Sequence, residues 1–414
     1  MYLTEKHIIK KGHKFYDECD KLSYLSKNLY NTSLYTIRQH YSQTKTHLSY
    51  PEVYHKVKGS VDYKALPAKV SNQTIKKLAD NYSSFFKLLK AKEQGKIDYF
   101  PSTPKYKKEK YGRLERFAVI YEKQAIGLRV FKKEKKIALS KTDIKLTTKI
   151  TDWSSIKEVR IIPRKKYYII EVVYFRLEQE LKADNSSYAS IDVGINNLMT
   201  VAFNDKTIKP LIVNGRPLKS INQYYNKKLA KLLSELEIKN NVKTSNKKSL
   251  LTLKRTNKIN DYLHKATTRL ANQIELQGVS KVIYGRNKNW KQDVNIGKKN
   301  NQNFVSIPTD RMRSMLDYKL RLRGIEMVEQ EESYTSKASF LDGDKIPIFK
   351  QGFESNYKFS GYRAQRGMYK SYEKGYINAD LNGAYNILKK AIPNVYSDGI
   401  EGYAVSPVVL KIKL

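Results

Sequence analysis

The sequence predicts a chain in two parts, an α+β N-terminal region followed by an α/β C-terminal domain. Three observations predict it. Apolar residues recur at helical spacing early in the chain, short strand-like runs fill its middle, and strands and long helices alternate after residue 187. In order, residues 1–12 suit an opening strand. From His13 to about Tyr41, Phe15, Cys19, Leu22, Leu25 and Leu29 fall at steps of three and four, as do Tyr30, Leu34, Ile37 and Tyr41. Pro51 closes that region. A second helix is expected from Pro67 to Gly95, with Leu78, Tyr82, Phe85 and Leu89 on one face.

Pro101 and Pro104 mark a boundary, followed by the basic, aromatic stretch PKYKKEKYGRLERF, which carries Lys105 and Lys107. The runs FAVIY, AIGLRVF, KIAL, IKEVRII and YYIIEVVYF then read as strands. The last two are joined by the basic turn Pro163–Lys166, with Arg164 and Lys165 at its tip. Several short antiparallel strands with basic turns suggest a small β-barrel, a shape suited to gripping oligonucleotides; a plain β-domain fits the same runs. Next, SIDVGINNLMTVAF and KPLIVNG read as a β-meander. Two long helices follow, then strand Ser280–Gly285, a loop with Trp290, helix Pro308–Arg323, strand Ile325–Glu331 and a last amphipathic helix in INADLNGAYNILKKA. That order is the order of an RNase H-like α/β domain.

Composition narrows the partners. The 414 residues suffice for about two or three domains. Lys and Arg number 79 against 40 Asp and Glu, a net charge of +39 spread over most of the chain. So large a charge repels itself unless a polyanion neutralises it, and nucleic acid is the obvious one. About half of the Lys and Arg around the first helices, Lys27 and Arg38 among them, are expected to face it. An anionic membrane is the rival, but no apolar run is long enough to cross a bilayer and MYLTEKHIIKKGH is not a secretory signal. The single cysteine, Cys19, excludes internal disulfides and a four-cysteine zinc site, and suits a reducing cytoplasm. Five of the six histidines lie at or before His55. A metal in the C-terminal half is therefore expected to be held by oxygens.

Asp192 lies in the middle of an apolar strand, where an ionised carboxylate is costly without a compensating cation or hydrogen bond. Gly194 shares its face and leaves room for a ligand to approach the backbone. A hydrogen-bonded structural Asp is the plain alternative. Two divalent ions roughly 4 Å apart can activate water and stabilise a leaving oxygen in phosphodiester hydrolysis if carboxylates anchor them. Two more acids, distant in sequence, fit such a set. Glu331 closes its strand, although Glu329 and Glu332 lie within reach of the same place. Asp380 begins the last helix, where capping alone would also account for it.

IDVGINNL, EESYTSK and NADLNGAYNI resemble the three RuvC motifs of the transposon-encoded TnpB nucleases, which are similar to the miniature type V CRISPR effectors. LSKNLYN, NGRPLKSINQYYNKKLA, YGRNKNWKQ, FVSIP and SGYRAQRGMYKS extend the resemblance over nearly the whole chain. It implies a β-barrel wedge domain at 1–12 and 101–180, a helical recognition insertion at 13–100, and a RuvC nuclease domain at 182–333 and 373–393. A target-nucleic-acid-binding insertion at 334–372 and a tail at 394–414 complete it. The motif frame puts the catalytic Glu three residues before the Tyr of YTS, hence Glu331 beside Asp192 and Asp380. In the same frame Asn382 and Asn386 orient the site, and Arg363 and Arg366 clamp the scissile phosphate or lie on solvated surface. The implied activity is RNA-guided cleavage of double-stranded DNA next to a short motif, with a guide RNA as partner and two Mg2+ (or Mn2+) as cofactor. A guide-dependent repressor and a guide-free junction resolvase are the alternatives. Many members carry CxxC zinc pairs in the insertion. This chain has none there, so no structural zinc is expected, and Phe340, Ile346, Ile348, Phe349, Phe353 and Tyr357 are left to pack that module.

Overall fold

A computed structural model describes residues 1–110, 113–240, 245–286, 307–348 and 357–412. The Trp290 loop, Phe349 and Phe353 lie outside the described residues. The chain divides into two compact units, Met1–Arg176 and Leu177–Leu414.

In the first unit, strand β1 (Tyr2–Lys10) leads into helices α1 (Tyr16–Thr44), α2 (Tyr50–Val57), α3 (Val61–Lys64) and α4 (Ala68–Glu93). The ribbon β2 (Glu109–Lys110) and β3 (Arg113–Leu114), strand β4 (Val119–Glu122), helix α5 (Leu128–Glu134), the ribbon β5 (Lys136–Ala138) and β6 (Lys145–Thr147), and strands β7 (Ile156–Pro163) and β8 (Tyr167–Phe175) follow. The main sheet has the order β1-β8-β7-β4 and is antiparallel throughout. The predicted β7–β8 hairpin is present, with Arg164 N–H donating to the Tyr167 carbonyl at 2.9 Å. Leu29, Tyr30 and Leu34 of α1 and Val70, Ile75 and Leu78 of α4 share one buried core with Tyr121, Val159, Ile161, Tyr168 and Ile170 of the sheet. The helical stripes are therefore core, each large side chain contributing about 1.5–3 kcal/mol by its burial.

The barrel expected from the strand count does not close. Among the described residues the sheet has four strands with edges at β1 and β4. Two of the expected strands go elsewhere. KIAL pairs with β6 and, through an isolated Leu139–Ile126 bridge, with the start of AIGLRVF, which turns into α5 after Gly127. A methyl at 127 would already stand 3.3 Å from Ala138 Cβ, and a single buried aromatic, Phe131, anchors the short helix.

The second unit contains β9 (Tyr188–Asp192), β10 (Asn197–Phe203), β11 (Leu211–Asn214), helices α6 (Arg216–Asn240) and α7 (Asn246–Leu276), β12 (Lys281–Gly285), α8 (Thr309–Arg321) and β13 (Glu326–Gln330). A small antiparallel sheet of β14 (Tyr362–Gln365), β15 (Met368–Lys370) and β16 (Tyr376–Asn378), helix α9 (Ala379–Ala391) and β17 (Val408–Leu410) complete it. The large sheet runs β13-β12-β9-β10-β11-β17. Strands β9, β10 and β11 are antiparallel, while β12 and β13 extend the sheet in parallel from β9. The C-terminal segment contributes β17 as the other edge, parallel to β11.

Alternation along β9 sorts the two faces. Ala189 and Ile191 join the core built with Leu263, Leu270, Met312 and Leu316 of α7 and α8. Ser190 faces the other way, its hydroxyl donating to the Ala384 carbonyl of α9 at 2.6 Å. Asp192 follows Ser190 on that α9 face. No helix among the described residues is long and apolar enough to cross a membrane.

Candidate active site

Helix α9 starts where Asn378 caps it: its side-chain oxygen accepts from the Asp380 and Leu381 N–H groups, both at 3.1 Å. The cap belongs to Asn378, so the Asp380 carboxylate is free for another use. One of its oxygens accepts from Asn197 Nδ2 at 2.7 Å, and the other lies 3.8 Å from the Arg363 guanidinium. Asn197 opens β10, the strand next to β9; it lies within IDVGINNL, but the sequence reading gave it no role.

Asp192 keeps partial solvent access while its carboxylate rests against the first turn of α9. A methyl at Gly383 would stand 3.2 Å from Asp192 Oδ2. Burial above all, then the Glu332 and Asp380 carboxylates, push the Asp192 carboxyl well above its ordinary range; Arg363 opposes them. Burial, followed by the Glu331 charge, also pushes Glu332 up to about 7. A methyl at Gly285, the last residue of β12, would stand 2.8 Å from Glu332 Oε2 and 3.1 Å from the Ile191 carbonyl. Glu332 thus reaches the end of β9 beside Asp192.

Glu331, the acid chosen from the motif frame, has another partner. Lys390 of α9 donates to its Oε2 at 2.6 Å and to the Ser333 carbonyl at 2.9 Å, and the Ser333 N–H donates to its Oε1 at 2.6 Å. Burial works against the Glu331 charge, but these hydrogen bonds hold its carboxyl below the ordinary range. Of two consecutive acids just past β13, one turns to Lys390 and its neighbour to Asp192. Glu329 is also taken, by Arg286 and Arg313 at 2.8 Å each. Asn382 and Asn386 do not touch the acids. Asn382 bonds Phe340 N–H and the Ala338 carbonyl, and Asn386 bonds the Thr335 and Ala338 carbonyls. Together with Lys390 they fix the segment that follows Glu332 against α9.

Among the described residues no three acidic, His or Cys side chains converge closely enough to grip an ion. The donor chemistry of Asp192, Glu332 and Asp380 nonetheless fits an oxygen-bound divalent cation, because like carboxylates facing one another are stabilised by one. Gly194 has a plainer reason than ligand access: a methyl there would stand 2.6 Å from the Asn197 carbonyl, so the β9–β10 turn itself requires the glycine. It does line a cleft of about 650 Å³ together with Asn197, Arg216, Arg363, Arg366 and Asp380.

The remaining basic residues divide. Lys27 is only 8% exposed, its ammonium 4.4 Å from the centre of the Tyr24 ring, so it is not the surface contact the charge suggested. Arg38 donates to the Pro104 carbonyl at 2.8 Å and stacks on Tyr106, and Lys107 lies over Tyr30 and Phe117; both secure the 104–107 segment. Lys105, Arg164, Lys165, Arg363 and Arg366 are exposed. The first unit also holds a cleft of about 680 Å³, lined by Tyr50, Lys69, Asn72, Gln73, Lys76 and Phe86.

Residues 171–291 match the family model described as OrfB_IS605, probable transposase, and residues 310–387 match the Cas12f1-like TNB domain. Over those two segments the chain is similar to these families. A "CRISPR-associated endodeoxyribonuclease Cas12f2" from Micrarchaeota archaeon (strain CG1_02_47_40) is 26% identical over 246 residues, 56% of this chain and 41% of that protein's length. Among solved structures, a Cas12f1–sgRNA–target DNA complex is 17% identical with TM-score 0.49, covering 90% of this chain and 82% of that one. A CRISPR-Cas12f ternary complex is 16% identical with TM-score 0.36, covering 90% and 80%.

Proposed function

We propose that this protein is an RNA-guided DNA endonuclease with a single RuvC-type site, in which Asp192, Glu332 and Asp380 are the acids. Glu332 takes the place that the motif frame gave to Glu331. The observation that carries the reading is that the Glu332 and Asp380 carboxylates, from just past a parallel edge strand and from a helix start, both act on the charge of Asp192 at the end of a central strand. The relatives named above support it, as does the charge of +39.

Bound divalent ions would supply an activated water and charge for the leaving oxygen. Asp192, Glu332 and Asp380 would hold them. Asn197 keeps Asp380 oriented, and Lys390 withdraws Glu331 so that the next residue enters the site. The guanidiniums of Arg363 and Arg366 offer paired donors to a phosphate at the cleft. Exposed Lys105, Arg164 and Lys165 would contact the guide–target duplex, which is read by pairing while the protein grips shape and charge. The cleft of the first unit, where amides stand beside lysines and aromatic rings, suits reading the short adjacent motif.

The test uses the protein with its co-purified RNA, a matching DNA duplex and Mg2+. Asp192→Asn and Glu332→Gln should each lower cleavage at least about a hundredfold while leaving RNA and DNA binding intact, and Glu331→Gln should retain most of it. Cleavage lost in Glu331→Gln and kept in Glu332→Gln would reverse the choice of acid. Sequence-specific cutting that survives RNase treatment would overturn the guide.

A further inference from the structure

Residues 334–378, which precede the last helix, contain neither cysteine nor histidine. Their share of the core is small: Phe340, Leu341, Tyr369 and Ile377 are buried, while all four residues of β14 are exposed. Two carboxylates gather the rest. Asp342 reaches the turn between β15 and β16. Its Oδ1 accepts from Ser371 Oγ at 2.5 Å and from the Glu373 N–H at 3.3 Å, and its Oδ2 accepts from the Tyr372 N–H at 2.9 Å. Asp344 reaches the segment that enters β14. Its Oδ2 accepts from the Ser339 N–H at 2.8 Å and from the Ser360 N–H at 3.1 Å, and its Oδ1 accepts from the Ser360 hydroxyl. The loop that carries both acids is pinned to α9 by Lys389, whose ammonium donates to the Gly343 and Asp344 carbonyls at 2.9 and 3.0 Å. Three stretches of chain, 339–344, 360 and 371–373, therefore meet on two side chains.

A module with so little core of its own commonly needs a staple, and a metal ion is one of the usual kinds. The donor set here does not fit a metal. A carboxylate offers about four lone-pair positions, and each of these two has three hydrogen bonds from N–H or O–H groups. Those groups aim their positive ends at the oxygens, so a cation placed there would meet repulsion and would have to break the bonds. Structural zinc takes cysteine and histidine, and the module has neither. Burial opposes the Asp342 charge, but the hydrogen bonds from Ser339, Ser371, Tyr372 and Glu373 hold its carboxyl below the ordinary range. We propose that Asp342 and Asp344 are two anionic clasps that close this module in place of a metal ion. The polarity of a metal centre is inverted: a protein carboxylate sits in the middle and the chain supplies donors around it. Such charge-assisted bonds are about twice as strong as neutral ones. The module therefore keeps its fold when zinc is withdrawn or thiols are oxidised, since the chain's single cysteine, Cys19, lies outside it. The clasps do not rest on the nuclease reading.

The experiment follows hydrogen exchange of the full-length protein by mass spectrometry at the Ser339, Ser360, Tyr372 and Glu373 amides, with zinc analysis of the same preparation. Wild-type exchange at these amides should be the same with and without 1,10-phenanthroline, and zinc should stay below about 0.1 per chain. Asp342→Asn keeps the size of the side chain but turns one acceptor oxygen into a donor that faces donors. It should speed exchange at Tyr372 and Glu373 at least about tenfold, and Asp344→Asn should do the same at Ser339 and Ser360. Unchanged exchange in α7 shows that the rest of the domain stays folded in each variant. Where either variant fails to fold, Ser371→Ala and Ser360→Ala remove one hydroxyl donor each and leave the carboxylates in place. They should speed exchange at the same amides about threefold. Zinc at about one per chain, whose removal speeds exchange across residues 334–378, would overturn the clasps. Wild-type exchange rates at all four amides in the folded variants would overturn them as well.

Discussion

Asp192 can face two other acids because the residues around it give up their own volume or hydrogen bonds. Gly383 leaves the space its carboxylate occupies, Asn378 takes over the helix cap from Asp380, and Lys390 removes Glu331. The tightest of these accommodations is Gly383. A methyl at 3.2 Å from Asp192 Oδ2 must be relieved by a shift of a few tenths of an ångström, and the carboxylate is the part that can move. Gly383→Ala is therefore expected to fold at least as stably as the wild type, since alanine favours a helix interior by about 1 kcal/mol, yet to lose about tenfold or more in cleavage rate. Thermal unfolding and single-turnover cutting on the same preparation check both halves. An unchanged rate would show that the site tolerates displacement of Asp192. That Asp192 and Asp380 come close to one another was expected from the sequence; the contact of Asn197 with Asp380, and which acid of a consecutive pair turns towards Asp192, were not. Glu331 and Glu332 follow the end of β13, where alternation no longer decides orientation, and only Lys390, nearly sixty positions later, separates them.

Helices with apolar stripes were legible because a face at steps of three and four has one plausible destination, and α1, α4 and α7 bury most of those faces, although Tyr41 near the end of α1 is 53% exposed. AIGLRVF misled because a short apolar run carries no period long enough to separate strand from helix, and the residues after Gly127 form α5 around the buried Phe131. Polar contacts between elements were invisible. The clearest lies between α7 and α8, where Lys319, 6% exposed, donates to the His264 carbonyl at 2.8 Å and to Thr267 Oγ1 at 2.7 Å. Burial, then the nearby Arg323 charge, lowers its ammonium to about 8, against about 10.4 in an unfolded chain. Below pH 8 the lysine is protonated in both states and contributes no slope. Between about pH 8 and 10 the unfolded chain holds more protons, so this residue makes stability rise with pH. The unfolding free energy of the wild type minus that of Lys319→Met is expected to increase across that window. A flat or falling difference in denaturant titrations from pH 7 to 10 would show that Lys319 is not strained by its burial.

At the scale of the whole chain, strand counting was the least informative reading for architecture. The first unit keeps an open sheet because two of its expected strands pair or coil locally, and the C-terminal segment supplies a sheet edge that no motif announced. The charge of +39, by contrast, acts on the molecule in a way that needs no topology. Folding concentrates like charges, so self-repulsion is larger in the folded state than in the expanded chain. Screening shortens its reach, from about 14 Å at 50 mM salt to roughly 4–5 Å at 500 mM. The RNA-free protein is therefore expected to melt at a higher temperature in 500 mM than in 50 mM NaCl. A polyanion that binds only the folded form adds RT ln(1 + [L]/Kd), about 2.7 kcal/mol at a hundredfold excess over Kd, or roughly 5 °C. Structured RNA added at low salt should then raise the melting temperature, and the gain should shrink as salt displaces it. The two responses to salt have opposite signs, which separates them in one series of melts with and without RNA. A melting temperature that falls with salt in the absence of RNA would mean that specific ion pairs, such as those of Glu329 with Arg286 and Arg313, outweigh the net charge.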